Sequence, residues 1–109
     1  MNLVEEYTAI DTASEVEFRY SYRLIKKDYK GIVAYGIEIE RKDYMGLENI
    51  NLEREKIEII SAQRHKVKQV LMKLYTNKVS PLHLIDIVGN YADEQAYEFD
   101  IMTQEKIVN

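Results

Sequence analysis

Two spacings of apolar residues divide the chain. From Val16 to Leu24, the residues Val16, Phe18, Tyr20, Tyr22 and Leu24 point one way while Glu17, Arg19, Ser21 and Arg23 point the other. That is the two-residue period of a half-buried strand. A second run sets Val33, Tyr35, Ile37 and Ile39 against Ala34, Gly36, Glu38 and Glu40. A third covers about Leu47 to Ile60, and its alternation slips around Arg54-Glu55, which reads as a bulge or as two short strands. Leu3 to Ile10 forms a further candidate strand leading into the turn residues Asp11-Thr12-Ala13-Ser14.

Between the strands, Lys26-Lys27-Asp28-Tyr29-Lys30-Gly31 resembles Arg41-Lys42-Asp43-Tyr44-Met45-Gly46. Asp bonds its own backbone to start a turn, and Gly accepts the positive φ that closes a short hairpin loop. Successive turns of a meander lie at opposite ends of the sheet, so the two segments are expected to be independent hairpin turns, with Tyr29 and Tyr44 exposed.

After Ser61, expected as the N-cap, the period becomes helical. Val67, Val70, Leu71, Leu74 and Tyr75 fall on one stripe, and the helix is expected to end near Asn77-Lys78. Ser80-Pro81 then opens a second helix, with Leu84, Ile85, Val88, Tyr91 and Ala92 on its buried side and Gly89 at a close contact. Beyond Asp93-Glu94 the pattern fades into Tyr97, Phe99 and Ile101, expected as an extended tail. Strands first and helices afterwards argue for α+β. The expected domain is single, residues 1–109: an antiparallel meander of three or four strands over about 3–60, helices over about 62–77 and 81–93 packed on one face, and an extended acidic tail over 95–109.

Composition refines this picture. With 109 residues, 46% of them apolar and 31% charged, the chain can bury one core. The absence of cysteine excludes disulfides, thiolate catalysis and Cys-based metal sites, and suits a reducing compartment. Glu5 and Glu6 stand where a signal peptide needs basic residues, and no apolar run approaches the roughly 20 residues that span a bilayer. The expected location is the cytoplasm. The net charge of −4 is unevenly spread: residues 61–85 hold five bases and no acid, and residues 86–109 hold six acids and only Lys106. The two blocks either form a site or pair with each other.

Candidate chemistry is sparse. His65 lies with Gln69, Met72 and Lys73 on the polar side of its helix, and His83 shares a face with Asp86 and Asn90. His83 and Asp86, three residues apart, make half of a metal site with no third ligand in sight. No Gly-rich phosphate loop, GxSxG or HExxH is present. No catalytic, cofactor-binding or metal residue is therefore assigned, and no cofactor is expected. Tyr20, Tyr22 and Tyr35 are read as core. The two-helix segment has the outline of a helix-turn-helix, but its basic helix is the first rather than the one that would enter a major groove.

Three segments carry a resemblance: Tyr35-Gly36-Ile37-Glu38-Ile39-Glu40-Arg41, Ser61-Ala62-Gln63-Arg64-His65-Lys66-Val67 and Val79-Ser80-Pro81-Leu82-His83-Leu84-Ile85-Asp86. Over about residues 16–94 the combination resembles a family of small uncharacterised proteins, a domain of unknown function, from clostridia and related spore-forming Firmicutes. The resemblance implies a bacterial cytoplasmic protein and brings no activity, cofactor or site residue. The expected function is a non-enzymatic protein-binding or regulatory module whose partner is a protein, including a second copy of itself. Its interaction surface is expected among Arg64, His65, Lys66, Lys68, Gln69, Lys73, His83 and Asp86. The alternatives are nucleic-acid binding through the basic first helix, and a small hydrolase using His65 or His83.

Overall fold

A computed structural model describes residues 2–108. Four long strands, β1 (Asn2–Ala13), β2 (Val16–Tyr29), β3 (Ile32–Met45) and β4 (Glu48–Ser61), form one antiparallel sheet in the order β1-β2-β3-β4. Helix α1 (Arg64–Thr76), a 3-10 turn (Pro81–His83) and helix α2 (Leu84–Val108) follow. The fold is α+β, a four-stranded meander followed by two helices. No described helix is long and apolar enough to cross a membrane.

Each hairpin closes in two residues. Ser14 (φ 56°), Lys30 (φ 52°) with Gly31 (φ 79°), and Gly46 (φ 61°) supply the positive φ that such tight turns require. Asp28 Oδ1 accepts a bond from the Gly31 N–H at 3.0 Å. The similar segment fifteen residues later uses its aspartate differently: Asp43 accepts from Arg41 and Asn51 and is buried. The two turns sit at opposite ends of β3, but neither tyrosine is free in solvent. Tyr44 is half-buried under the Arg19 guanidinium, 4.2 Å from the ring centre, and the Lys30 ammonium lies 5.0 Å from the half-buried Tyr29 ring.

One sheet face carries the core. Tyr20, Tyr22 and Leu24 of β2 and Ile37 and Ile39 of β3 pack with Ile60, with Val67, Leu71 and Leu74 of α1 and with Leu84, Val88 and Ala92 of α2. Tyr22 is fully buried, stands edge-on to Tyr75 at 5.7 Å, and donates its hydroxyl to Val79 O at 2.9 Å. Burial pushes its phenol pKa up. Helix α1 ends as a Schellman turn: Val79 N–H bonds Leu74 O and Lys78 N–H bonds Tyr75 O, with Lys78 in the left-handed region (φ 50°).

Several expectations change. Helix α1 is capped at Gln63 without a side-chain bond, and Ser61 Oγ instead accepts from the Gln63 N–H at 3.0 Å. The slip at Arg54-Glu55 is not a bulge, for Arg54 and Glu55 pair regularly with Glu40 and Ile39. The irregularities lie on either side, opposite Tyr35/Ile37 and opposite Asp43/Tyr44. The apparent slip arises because Leu52, paired with Lys42, is an exposed apolar residue on the face away from the core. Ile85 is 54% exposed: among the described residues of α2, Leu84, Val88 and Ala92, four residues apart, enter the core with Tyr91 packed beside them, and Ile85 lies off that stripe. Gly89 makes no close packing contact. Residues 95–108, expected as an extended tail, continue α2.

Candidate interaction surface

The face of the sheet opposite the core is closed by ion pairs. The short turn at Lys30-Gly31 fixes the register that sets Arg23 opposite Glu38, and the turn at Ser14-Glu15 sets Glu6 opposite Arg23. Arg23 donates to Glu6 at 2.6 Å, Glu38 at 2.8 Å and Glu40 at 3.2 Å, so three strands are tied through one guanidinium. Arg54 reaches Glu40 from β4. Burial pushes the Glu40 carboxyl up, but Arg54 and Arg23 outweigh it and hold it below the usual range. Glu38 and Glu40 are only 6% and 4% exposed. A depression of about 280 Å³ beside them is lined by Thr8, Ser21, Arg19, Lys42 and Tyr44 among others. Its charges are engaged, Arg23 and Lys42 with Glu40 and Arg19 with Glu17, so this face reads as a sheet surface held by paired charges.

Helix α1 presents a different surface. Its buried stripe fixes the helix on the sheet and turns His65, Gln69, Met72 and Lys73 outward. These four with Lys68 line an open concavity of about 590 Å³. Lysine stems cover apolar surface while their ammonium groups stay wet, so the floor is apolar and the rim cationic. On one side the rim is already neutralised. Glu5 of β1 accepts from Lys68 at 3.1 Å and Arg64 at 3.2 Å, and Tyr7 donates its hydroxyl to the same carboxylate at 2.6 Å. The Tyr7 bond first, then Lys68 and Arg64, hold the Glu5 carboxyl down at about 2. Glu5 in turn raises the Lys68 ammonium.

Of the residues predicted from sequence, His65, Lys68, Gln69 and Lys73 come together in this concavity. Arg64 and Lys66 lie on the same helix outside it. His83 sits in the 3-10 turn and Asp86 in the first turn of α2, both exposed. Among the described residues no hydrogen bond or ion pair joins either histidine to a carboxylate, and no group of three acidic or histidine side chains could hold a metal ion. The sequence places Met72 on this side of the helix without counting it in the interaction surface, and gives no sign of Glu5. Met72 was legible at the helical spacing of Gln69 and Lys73; Glu5 was not, because 59 residues separate it from Arg64.

No curated protein and no solved structure matches the chain. One family does: the model of a family of unknown function, DUF6514, matches residues 1–94, all four strands, α1 and the packed start of α2, and the chain belongs to that family.

Proposed function

We propose that this chain is a non-enzymatic protein-binding module that presents the outward face of α1 to a protein partner. The observation that carries the reading is the concavity of His65, Lys68, Gln69, Met72 and Lys73, apolar within and polar at its edge. Protein interfaces have that layout, a centre rich in methionine and aromatic side chains inside a polar rim. A nucleic-acid surface has less support. Two of the five bases in 61–85 are spent on Glu5, which removes them from contact with phosphates. The proposed setting is the cytoplasm of a spore-forming bacterium, which the cysteine-free sequence and the resemblance favour.

The test is proximity cross-linking of the full chain in its native cytoplasm, compared with Met72→Glu. Met72 is half-buried on the helix's outward side, so the substitution is expected to leave the circular dichroism unchanged. A cross-linked protein lost in the variant supports the reading. A cross-linking profile identical in both would sink it.

A further inference from the structure

Among the described residues, opposite charges on the two helices do not meet within one chain. Residues 61–85 carry five bases and no acid, and residues 86–109 six acids against Lys106. Yet among the described residues no ion pair joins α1 to α2; the paired bases of α1, Arg64 and Lys68, go to Glu5 on β1. Lys66 and Lys73 have no described acidic partner. Helix α2 likewise leaves a side uncovered. Asp86, Asp93 and Glu94 are exposed, and so are Tyr97 at 71% and Ile101 at 40%. Asp93, Tyr97 and Ile101 follow at four-residue steps and so share one face. Outward, α1 thus presents Met72 among basic side chains and α2 presents Tyr97 and Ile101 beside acidic ones, so the two surfaces have opposite signs.

We propose that the protein self-associates as a two-fold dimer, in which the acidic outward face of α2 in one copy seats on the basic outward face of α1 in the other. The inference rests on the reading of α1 as an interaction surface and names its partner. Both helices pack on the same sheet face, so a two-fold axis running between them makes the contact twice. Tyr97 and Ile101 supply apolar area against Met72, and the charges select the registration. The other two-fold arrangement, α1 on α1, sets Lys66 and Lys73 against their own copies, which like-charge repulsion disfavours.

The experiment is sedimentation equilibrium of the full chain at about 50 mM and about 500 mM NaCl, where screening of exposed charges differs strongly. Two charge-reversal variants, Lys66→Glu/Lys73→Glu and Asp93→Lys/Glu94→Lys, are measured alone and mixed, after circular dichroism shows each folded. The wild-type chain is expected to dimerise more weakly at high salt. Each variant alone is expected to dimerise on the order of tenfold more weakly or worse, since the repulsion occurs at both seats. The equimolar mixture is expected to recover a heterodimer, because each reversed helix then faces a reversed partner. A wild-type chain that stays monomeric at ~200 µM in low salt, well above the range of specific self-association, overturns the proposal. So does a dimer indifferent to both variants, as a strand-edge dimer would be. A monomer whose α1 still loses a cross-linked partner in Met72→Glu overturns the dimer alone and leaves the protein-binding reading standing.

Discussion

Gly36 lies in the middle of β3, where β4 departs from regular pairing, and replacing it with alanine tests whether that departure is required. The ladder advances two residues on β3, from Tyr35 to Ile37, while β4 advances four, from Ser61 to Ile57. The extra β4 backbone comes over Gly36. A Cβ there would stand 2.2 Å from Ile57 O and 2.3 Å from Glu58 O. Carbon and oxygen rest at about 3.3 Å or more, so β4 must retreat by about 1 Å. A ladder bond near 2.9 Å stretched that far ceases to be a hydrogen bond, and two such bonds with the neighbouring fully buried Ile60 are at stake. Lost bonds at about 1 kcal/mol each and strained packing of about 1–3 kcal/mol give an expected cost of roughly 3–5 kcal/mol. That is a large share of the roughly 5–15 kcal/mol typical of a domain. With nine tyrosines and no tryptophan, tyrosine fluorescence and far-ultraviolet circular dichroism report urea unfolding. The midpoint should fall at an unchanged m-value. The same change at Gly89 is the control: its new Cβ meets only Ile85 Cγ2, at 3.6 Å, an ordinary contact. Gly89→Ala should therefore stabilise by about 0.5–1 kcal/mol. A Gly36→Ala cost below about 1 kcal/mol, too small for a displaced strand, would mean that β4 does not depend on the bare backbone at Gly36.

Further outcomes follow from buried bonds and charges. Tyr22→Phe removes the donor to Val79 O and should cost about 1–2 kcal/mol in urea unfolding; no change would mean that the bond does not hold the α1–α2 connection. Arg23→Ala leaves Glu38 without its guanidinium partner and Glu40 with one fewer, and should cost about 2–4 kcal/mol; the added change Glu38→Gln should recover part of it. Glu5 has a folded pKa of about 2, below the roughly 4.3 of an unfolded chain. Its stabilisation is therefore complete above about pH 4.3 and is lost as the pH falls toward 2. Glu5→Gln should lower the melting temperature at neutral pH and flatten its fall through this window. Superimposable acid profiles for the two proteins would contradict the pairing with Tyr7, Lys68 and Arg64.

The sheet was legible because alternation and turn chemistry agree. Val16 to Leu24 and Val33 to Ile39 keep a strict two-residue period, and Gly31 closes a short turn between them. The bulges were not. Leu52 is apolar and faces solvent, so the phase of hydrophobicity changed where the backbone did not. The end of α2 was hidden for a related reason: Tyr97, Phe99 and Ile101 alternate like a strand, yet Val88, Ala92 and Gln95 before them keep the helical step. Glu38 and Glu40 looked like a solvent-facing row. Their burial follows only when the hairpin register delivers Arg23 to them. Of the candidate surface, the α1 residues were readable from one helix's periodicity, whereas neutralisation by Glu5 depends on a tertiary contact that no local pattern encodes.

The two-residue turns have a kinetic meaning. Every strand pairs with its sequence neighbour, so the sheet can zip outward from three tight reversals without closing a long loop. The large closure comes when the helices dock, where Tyr22 and Val79 meet across 57 residues. Such a topology favours early hairpin ladders and a late hydrophobic layer, so substitutions in α1 should chiefly accelerate unfolding, and those at the β2–β3 turn should chiefly slow folding.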